Sequence, residues 1–211
     1  MYIPGSFRMG DADARRFLQA QSFAVLFSWT KDGDPWATHV PLLLEADGAG
    51  ERLIGHLARA NAHWRHLDGA RTLAVFAGPH AYISPAWYGS MPDVPTWNYV
   101  TVHVSGVCRV YDHDHERLLH ILDRLARFYE PDSPIPAQLH EPYYQEQLGA
   151  IVPIVITVDR IDGKAKLGQN RPAHDRLGAI AGLETGANPD QLAVAALMRA
   201  TLDASDTNPP D

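Results

Sequence analysis

Two groups of basic and amide side chains are of the kinds that hold a phosphate. Arg59 and Asn61 stand just before a predicted short helix, where free N–H groups and the helix dipole favour an anion. The second group follows a predicted strand, and its members are Lys164, Lys166, Gln169, Asn170 and Arg171. An arginine side chain can pair with a phosphate through two parallel hydrogen bonds. Both groups therefore predict that the protein binds a phosphorylated small molecule.

A further set of residues could contact a flat, polar ring. Its polar members lie on predicted strands or at their ends, and they are Thr38, His39, Ser84, Thr96 and Asn98. Trp and Tyr residues between Gly78 and Val104 add faces suited to a ring such as isoalloxazine. Any one of these residues also fits a plainer role in a turn or on the surface. Only their occurrence together predicts a ligand site.

The stretch from Gly78 to Val104 must position many of these residues. It reads GPHAYISPAWYGSMPDVPTWNYVTVHV, in which two β-like runs flank a turn-rich middle. The prolines of that middle, at positions 85, 92 and 95, cannot donate to a strand ladder, which predicts a loop. Because loops are normally polar, these aromatic rings need a surface to cover. The protein's own core, a partner subunit and a flat ligand all remain open.

The rest of the chain reads as short strands joined by turns, with helices at the joints. Residues 11–21 predict a first helix, and residues 112–130 predict a long helix that Asp112 can cap. Shorter helical patterns cover 62–67, with Asn61 as the cap, and 143–148, 173–183 and 190–202. The strand runs are 23–29, 35–44, 53–57, 72–76 continuing into 81–84, 97–110 and 151–161. Pro41 predicts a bulge or an edge in the second run, and a turn at 162–163 ends the last one. We therefore predict an α+β fold, mainly antiparallel, built as a small β-barrel.

Length and composition place the chain among ordinary globular proteins. Its 211 residues predict one domain over 1–183, a C-terminal helix over 184–202 and a disordered tail over 203–211. The formal net charge of −7 argues against nucleic-acid binding by the whole surface. A single cysteine, Cys108, lies in a β-like run and predicts a buried, inert thiol. The sequence shows neither a signal peptide nor an apolar run of membrane-spanning length, so we expect a cytoplasmic protein.

Several common kinds of site are not indicated. His56, His63 and His66 do not follow a zinc-binding pattern, although the last two are one helical turn apart and could share an ion. Walker and GxGxxG phosphate loops are absent, and no Ser-His-Asp set can be recognised from spacing. We therefore predict no metal and assign no catalytic residue.

Several segments along residues 1–183 carry a family resemblance. They are MYIP at the start, ATHVPLLL at 37–44, GHLARAN at 55–61, FAGPHAYISPAWY at 76–88, VPTWNYVTVHVSG at 94–106, AIV at 150–152 and GKAKLGQNR at 163–171. In this order they resemble the PaiB-like family of FMN-binding negative transcriptional regulators. Gly168 and Ala165 stand where that family commonly has a serine and a tryptophan.

The resemblance implies a fold, a cofactor and a partner. The fold would be a split β-barrel related to pyridoxamine phosphate oxidase and flavin reductases, and the protein would be a homodimer with FMN at the subunit interface. Arg59 would be the main phosphate ligand. The further cofactor contacts would be Asn61, Thr38, His39, Ser84, Trp97 and Asn98, and the residue types add Lys166 and Gln169.

Three functions are compatible with the sequence. The first is a flavin-binding dimer that regulates transcription, although we find no helix-turn-helix signature and no basic stripe for direct DNA binding. The second is a flavin-dependent oxidoreductase, in which the cofactor carries the chemistry and few catalytic residues are needed. The third is a haem-binding protein with His39, His56 or His80 as the axial ligand.

Overall fold

Seven antiparallel strands form the framework of the protein. The computed structural model describes residues 1–48, 50–90 and 93–206. The strands are β1 Phe23–Trp29, β2 Pro35–Pro41, β3 Leu43–Asp47, β4 Gly50–Ala58, β5 Arg71–Ile83, β6 Thr96–Val110 and β7 Ile151–Lys166. They form one sheet in the order β2-β1-β5-β6-β7-β4-β3. The helices among the described residues are α1 Asp11–Ala20, α2 His115–Tyr129, α3 Ile135–Gln138, α4 Pro142–Leu148, α5 Ala173–Glu184 and α6 Pro189–Asp206. The predicted α+β, mainly antiparallel fold class is confirmed.

The hairpin of β1 and β2 positions the first candidate residues. In its register Leu26 lies opposite Thr38, and Val25 lies opposite His39. Gly33 closes the turn with a φ of 91°, which favours glycine. The returning run predicted over 35–44 is divided at Leu42, whose N–H donates to the carbonyl of Ser22 at 2.7 Å. The break separates β2 from β3 where Pro41 predicted an irregularity.

The described residues divide into two compact units. One unit comprises the described residues of 12–76 and 103–162, and the other comprises those of 1–11, 77–102 and 163–206, so that β5, β6 and β7 each contribute to both. The predicted domain boundary at 183 stays a prediction. No helix among the described residues is both long and apolar enough to cross a membrane.

In the first unit, the long helix α2 covers one face of the strands. Ile121 and Leu125 of the helix pack against Leu43, Ile54 and Val155, which are all buried. This apolar contact fixes the helix and therefore the residues just before it.

The cap of α2 differs from the prediction. The carboxylate of Asp114 accepts the N–H of Arg117 at 3.0 Å and caps the helix. The prediction of Asp112 as the cap is wrong. The helix begins three residues after Asp112, and the Asp112 carboxylate pairs with Arg59.

A short turn follows β4 in the same unit. Residues 62–67 were predicted to be helical, and they form a 3₁₀ turn over Ala62–His66. The side chain of Asn61 accepts the N–H of His63 at 3.1 Å, which confirms Asn61 as the cap.

In the second unit, α5 and α6 pack on each other, and Ile180 and Leu183 of α5 and Val194 and Met198 of α6 are all buried. The predicted turn at 162–163 is wrong, because β7 continues to Lys166. The N–H of Met9 donates to the carbonyl of Gly163 at 3.1 Å, so the N-terminal arm lies alongside the extended strand.

The aromatic loop between β5 and β6 packs on the protein itself. Trp87 lies against α5 so closely that a Cβ at Gly182 would overlap its indole ring. The carboxylate of Asp175 accepts the N–H groups of Gly89 at 2.8 Å and Ser90 at 3.0 Å. The sequence left three surfaces open for these aromatic rings. For Trp87 the surface is the protein itself, at α5. Pro92, one of the loop prolines, lies outside the described residues.

The C-terminal helix is longer than predicted. The side chain of Asn188 accepts the N–H of Asp190 at 2.9 Å and caps the start of this helix. The helix α6 runs to Asp206, past the predicted limit at 202. Residues 207–211 of the predicted tail lie outside the described residues.

Candidate functional site

A buried histidine joins two of the predicted site residues. His63 is fully buried, and its Nδ1 lies 2.8 Å from the hydroxyl of Thr38 while its Nε2 lies 2.8 Å from the hydroxyl of Ser28. The amide nitrogen of Asn61 donates to the same Thr38 oxygen at 3.1 Å. We call Ser28, Thr38, Asn61 and His63 the His63 cluster. The structure therefore brings Thr38 and Asn61 together, as the predicted site requires.

The His63 ring is neutral at pH 7. Burial, together with the positive charge that neighbouring His66 can carry, lowers the pKa of His63 from 6.5 to about 4. A neutral imidazole donates from one nitrogen and accepts at the other. If Nδ1 carries the hydrogen, the Thr38 oxygen accepts from both His63 and Asn61, which leaves the Thr38 hydrogen for a further acceptor. If Nε2 carries it, Thr38 donates to His63 instead.

Trp36 covers the outer side of this histidine. Its ring stacks on the His63 ring, with centroids 5.5 Å apart and planes 22° apart, and it also meets the His66 ring at 5.5 Å. His63 and His66 are therefore packed against an indole. In the described part of the chain, no three His, Cys, Asp or Glu side chains are grouped to hold a metal ion.

Sequence reasoning missed Ser28 and His63 as members of the cluster. A signal for them existed, because Ser28 is a polar residue at a buried position of an otherwise apolar strand. A buried hydroxyl needs a hydrogen-bond partner. The histidine two residues after the Asn61 cap is that partner.

Arg59 lies in a separate cleft. Its Nε donates to the carbonyl of Gly149 at 2.7 Å, and its Nη2 donates to the carboxylate of Asp112 at 2.8 Å. The cleft has a volume of about 210 Å³, and His113 and His115 also line it. Hydrogen bonding to Arg59 lowers the pKa of Asp112, so this carboxylate is charged.

The Arg59 cleft and the His63 cluster do not share their lining. Thr38 and Asn61 are not among the residues that form the cleft. Arg59 and Asn61 are close in sequence, but the guanidinium group is held by the segment 149–151 and by Asp112. Arg59 and Asn61, the first group predicted from the sequence to hold a phosphate, are therefore divided between the cleft and the His63 cluster.

His39 is the fourth predicted cofactor contact in this unit. It follows Thr38 on β2 and is exposed, and its ring stacks on that of Phe23 with centroids 6.0 Å apart. Because successive side chains of a strand point to opposite faces, His39 lies outside the His63 cluster.

Trp97 and Lys166 lie together in the other unit. The Lys166 ammonium donates to the carbonyl of Trp97 at 2.8 Å and also to the Thr96 hydroxyl. The Trp97 ring meets the rings of His80 and Tyr82, each with centroids 6.1 Å apart. We call His80, Tyr82 and Trp97 the Trp97 face, of which Trp97 is 52% exposed and Tyr82 is 43% exposed.

The remaining predicted cofactor contacts form hydrogen bonds with other groups of the chain. Asn98 is buried, and its amide donates to the thioether of Met198 at 3.3 Å. Gln169 bonds the main chain of the turn that contains it. Ser84 accepts the N–H of Ala86 at 3.2 Å and caps the 3₁₀ turn that follows β5. Their role as cofactor contacts stays a prediction.

The basic segment after β7 is also engaged within the chain. Arg171 forms a two-point ion pair with Asp93, and its guanidinium lies 4.0 Å from the centre of the Tyr88 ring. Lys164 is buried with its ammonium 5.1 Å from the centre of the Tyr99 ring. These contacts position the loop before β6 and the sheet behind it.

A Ser-His-Asp group occurs beside that loop, but its geometry is not that of a hydrolytic triad. The Ser90 hydroxyl lies 2.9 Å from Nε2 of His174, and the Asp175 carboxylate lies 3.3 Å from the same nitrogen. In a triad the carboxylate holds the opposite nitrogen, which leaves Nε2 free to take the serine proton. This group therefore fixes the loop and does not activate the serine.

Comparison with known protein families shows the family to which the chain belongs. Residues 1–160 match the family described as "Putative FMN-binding domain". The chain belongs to this FMN-binding family. One relative of this chain is the protease synthase and sporulation protein PAI 2 of Bacillus subtilis (strain 168). The two are 35% identical over 203 residues, and the alignment covers 94% of this chain and 96% of that protein. The predicted resemblance to the PaiB-like FMN-binding family is confirmed, and the match indicates flavin binding.

Solved structures support the fold of this FMN-binding family member. The FAD and haem binding protein of Mycobacterium smegmatis has a TM-score of 0.57 at 17% identity, covering 81% of this chain and 78% of that one. The flavocytochrome Anf3 of Azotobacter vinelandii has a TM-score of 0.55 at 14% identity, covering 75% and 68%. At these identities the likeness concerns the fold alone, and it agrees with the α+β, mainly antiparallel class of this chain.

Proposed function

We propose that this protein is a cytoplasmic homodimer that binds FMN and regulates transcription. The observation that carries the flavin site is the His63 cluster, in which a buried neutral imidazole holds the Thr38 hydroxyl and the Asn61 amide in fixed positions. Preorganised polar groups bind a ligand without the cost of ordering them first. The family match supports a flavin as that ligand.

The side chains present fit the chemistry of FMN. The described hydrogen bonds of Arg59 use Nε and Nη2, so Nη1 remains for a phosphate oxygen. Thr38 and Asn61 offer the neutral donors and acceptors that suit the ribityl hydroxyls. When bound, FMN supplies a redox-active ring, whereas the chain binds and orients it.

The Trp97 face supports the homodimer. Trp97 and Tyr82 are two large aromatic side chains, each about half exposed, beside one another on the sheet. Aromatic residues are enriched in the buried centres of subunit interfaces, and exposed apolar groups of this kind mark such interfaces. We assign this face to the partner subunit, and we place His39, Ser84, Asn98, Lys166 and Gln169 as secondary cofactor contacts.

Spectroscopic titration tests the cofactor. We expect the protein to bind FMN at one molecule per chain and more tightly than FAD, and we expect sedimentation to give the mass of a dimer. Tighter binding of FAD, or a haem Soret band with no flavin bound, would contradict the proposal. Bleaching of the bound flavin by NADH or NADPH would identify an oxidoreductase instead.

Substitution of Arg59 tests the phosphate contact. We expect Arg59→Ala to weaken FMN binding by roughly 10- to 150-fold, the range of a charged hydrogen bond of about 1.5–3 kcal/mol. Riboflavin lacks the phosphate, so its affinity should not change. The matched control is Arg71→Ala, which removes an exposed arginine paired with Asp159. Equal losses for FMN and riboflavin would remove Arg59 from the phosphate site.

Transcript measurements test the regulatory part. We expect deletion of the gene to raise the transcription of a defined set of genes, and we expect the Arg59→Ala protein to fail to restore repression. A mobility shift that weakens steeply with salt would show that the protein contacts DNA itself. An unchanged set of transcripts would refute regulation while leaving flavin binding intact.

A further inference from the structure

A small cavity with two arginines in its wall lies between α1, β3 and α2. Its volume is about 240 Å³. The residues that line it are Gln19 of α1, Leu43 and Leu44 of β3, and Arg124, Arg127 and Phe128 of α2. An engineered cavity of about 150 Å³ already holds benzene. The cavity is therefore large enough for one aromatic ring that carries a small polar group.

Each of the two arginines is oriented by a carboxylate of the protein. Nε of Arg124 donates to the carboxylate of Glu45 at 2.7 Å, and Nε of Arg127 donates to that of Asp123 at 2.9 Å. The side chain of Glu45 is only 13% exposed, and it also lies 3.2 Å from Nε2 of His120. These contacts hold the two guanidinium groups in place before a ligand arrives, which lowers the cost of ordering them on binding.

The terminal nitrogens of both arginines remain for another acceptor. In the described part of the chain, the side-chain hydrogen bonds of Arg124 and Arg127 use Nε and neither Nη1 nor Nη2. The side-chain amide of Gln19, on the opposite side of the cavity, adds a neutral N–H donor. Guanidinium groups pair with carboxylates through two parallel hydrogen bonds. The donors of the cavity therefore match a carboxylate.

Apolar residues supply the rest of the lining. Leu43 is buried, and Phe128 packs against the core cluster that contains Leu43 and Ile121. Apolar surface of a ligand gains free energy when it leaves water for such a wall, and a ring can also pack against the ring of Phe128. The body of the ligand should therefore be apolar.

The charges around the cavity favour an anion with a single charge. The positive charges of Arg124 and Arg127 are balanced by the negative charges of Glu45 and Asp123. His120 adds a positive charge only when it is protonated. A phosphate monoester carries a charge of about −1.5 to −2 at pH 7, and it would meet Glu45 and Asp123 as like charges. A carboxylate carries one charge and is repelled less.

We propose that this cavity binds a small monocarboxylic acid with a compact apolar body, such as a single aromatic ring. Its carboxylate accepts from the terminal nitrogens of Arg124 and Arg127 and from the amide of Gln19, and its ring lies against Phe128. The cavity and the Arg59 cleft have no lining residue in common. The inference therefore does not depend on whether the protein binds FMN.

Three probes of similar shape test the proposal on the full-length protein by isothermal titration calorimetry. They are benzoate, benzamide and phenyl phosphate. We expect benzoate to bind at one molecule per chain. Benzamide should bind at least about tenfold more weakly because it lacks the charge that pairs with the arginines, and phenyl phosphate should also bind more weakly than benzoate. The affinity for benzoate should be the same with and without saturating FMN and in Arg59→Ala, whereas loss of benzoate binding in that variant would assign the acid to the Arg59 cleft and overturn the proposal.

Substitution of the two arginines gives an independent test. Arg124→Gln and Arg127→Gln should each lower the affinity for benzoate by about 2- to 13-fold, which is the worth of one hydrogen bond at a partly exposed site, and leave that for benzamide unchanged. The matched control is Arg199→Gln, which removes an exposed arginine of α6 paired with Glu184 and should leave benzoate binding unchanged. Thermal unfolding verifies that the three variants are folded. Equal affinity for benzoate in the wild type and all three variants, no binding of benzoate to the wild type, or tighter binding of phenyl phosphate than of benzoate would overturn the proposal.

Discussion

The buried neutral histidine makes a definite prediction about stability and pH. The folded protein binds a proton at His63 only near pH 4, whereas an unfolded histidine does so near pH 6.5. Between these values the unfolded state binds more protons, so the free energy of unfolding falls as the pH falls. For this residue alone the loss is about 2 kcal/mol between pH 8 and pH 5, and about 3 kcal/mol below pH 4.

Urea unfolding of the wild type and of His63→Gln measures this contribution. The variant loses stability at every pH, because Ser28 and Thr38 each lose a partner, but its free energy of unfolding should fall by about 2 kcal/mol less between pH 8 and pH 5. Burial also lowers the pKa values of His56 and His103, and these contributions cancel in the difference. Parallel pH profiles for the two proteins would refute the reasoning. So would an NMR titration of the folded protein that places the His63 pKa near 6.5.

Two other features lead to predictions of their own. Gly182→Ala should destabilise the protein by about 1–3 kcal/mol in urea unfolding, because the new methyl group overlaps the Trp87 ring. The matched control is Gly149→Ala. Gly149 has a helical φ of −63° and room for a methyl group, so this change should leave the free energy of unfolding nearly the same. The thiol of Cys108 is buried, and burial raises its pKa to about 12, so iodoacetamide should modify it at pH 8 only in unfolding concentrations of urea. Rapid modification of the native protein would show that the strand opens locally.

The local elements could be predicted from the sequence where side-chain pattern and turn residues agree. The run 23–29 is β1 without a change of bounds, and Asn61 caps the turn that follows β4. The long helix was predicted correctly, but its cap was not. Asp112 and Asp114 both have the right chemistry, and the choice depends on Arg59, which lies more than fifty residues earlier and takes one of them.

The candidate site was predictable in its residue types and not in its grouping. Thr38 and Asn61 meet because β2 and the turn after β4 pack together, and His63 between them was considered only as a metal ligand. The continuation of β7 past Gly163 was missed for a similar reason. A glycine after an aspartate indicates a turn locally, and only the N-terminal arm alongside the strand shows that the chain stays extended there.

The segment between α4 and β7 has two neighbours, and this has a thermodynamic consequence. Its carbonyl groups at Gly149 and Ile151 hold the Arg59 guanidinium, while Leu148 and Ile151 help to line a largely apolar cavity of about 490 Å³ among α2, α3 and α4. A molecule that shifts this segment from one side alters the free energy of whatever Arg59 holds on the other. Such coupling is reciprocal by necessity. If a molecule held beside Leu148 and Ile151 changes the dissociation constant of FMN by some factor, FMN must change that of the molecule by the same factor.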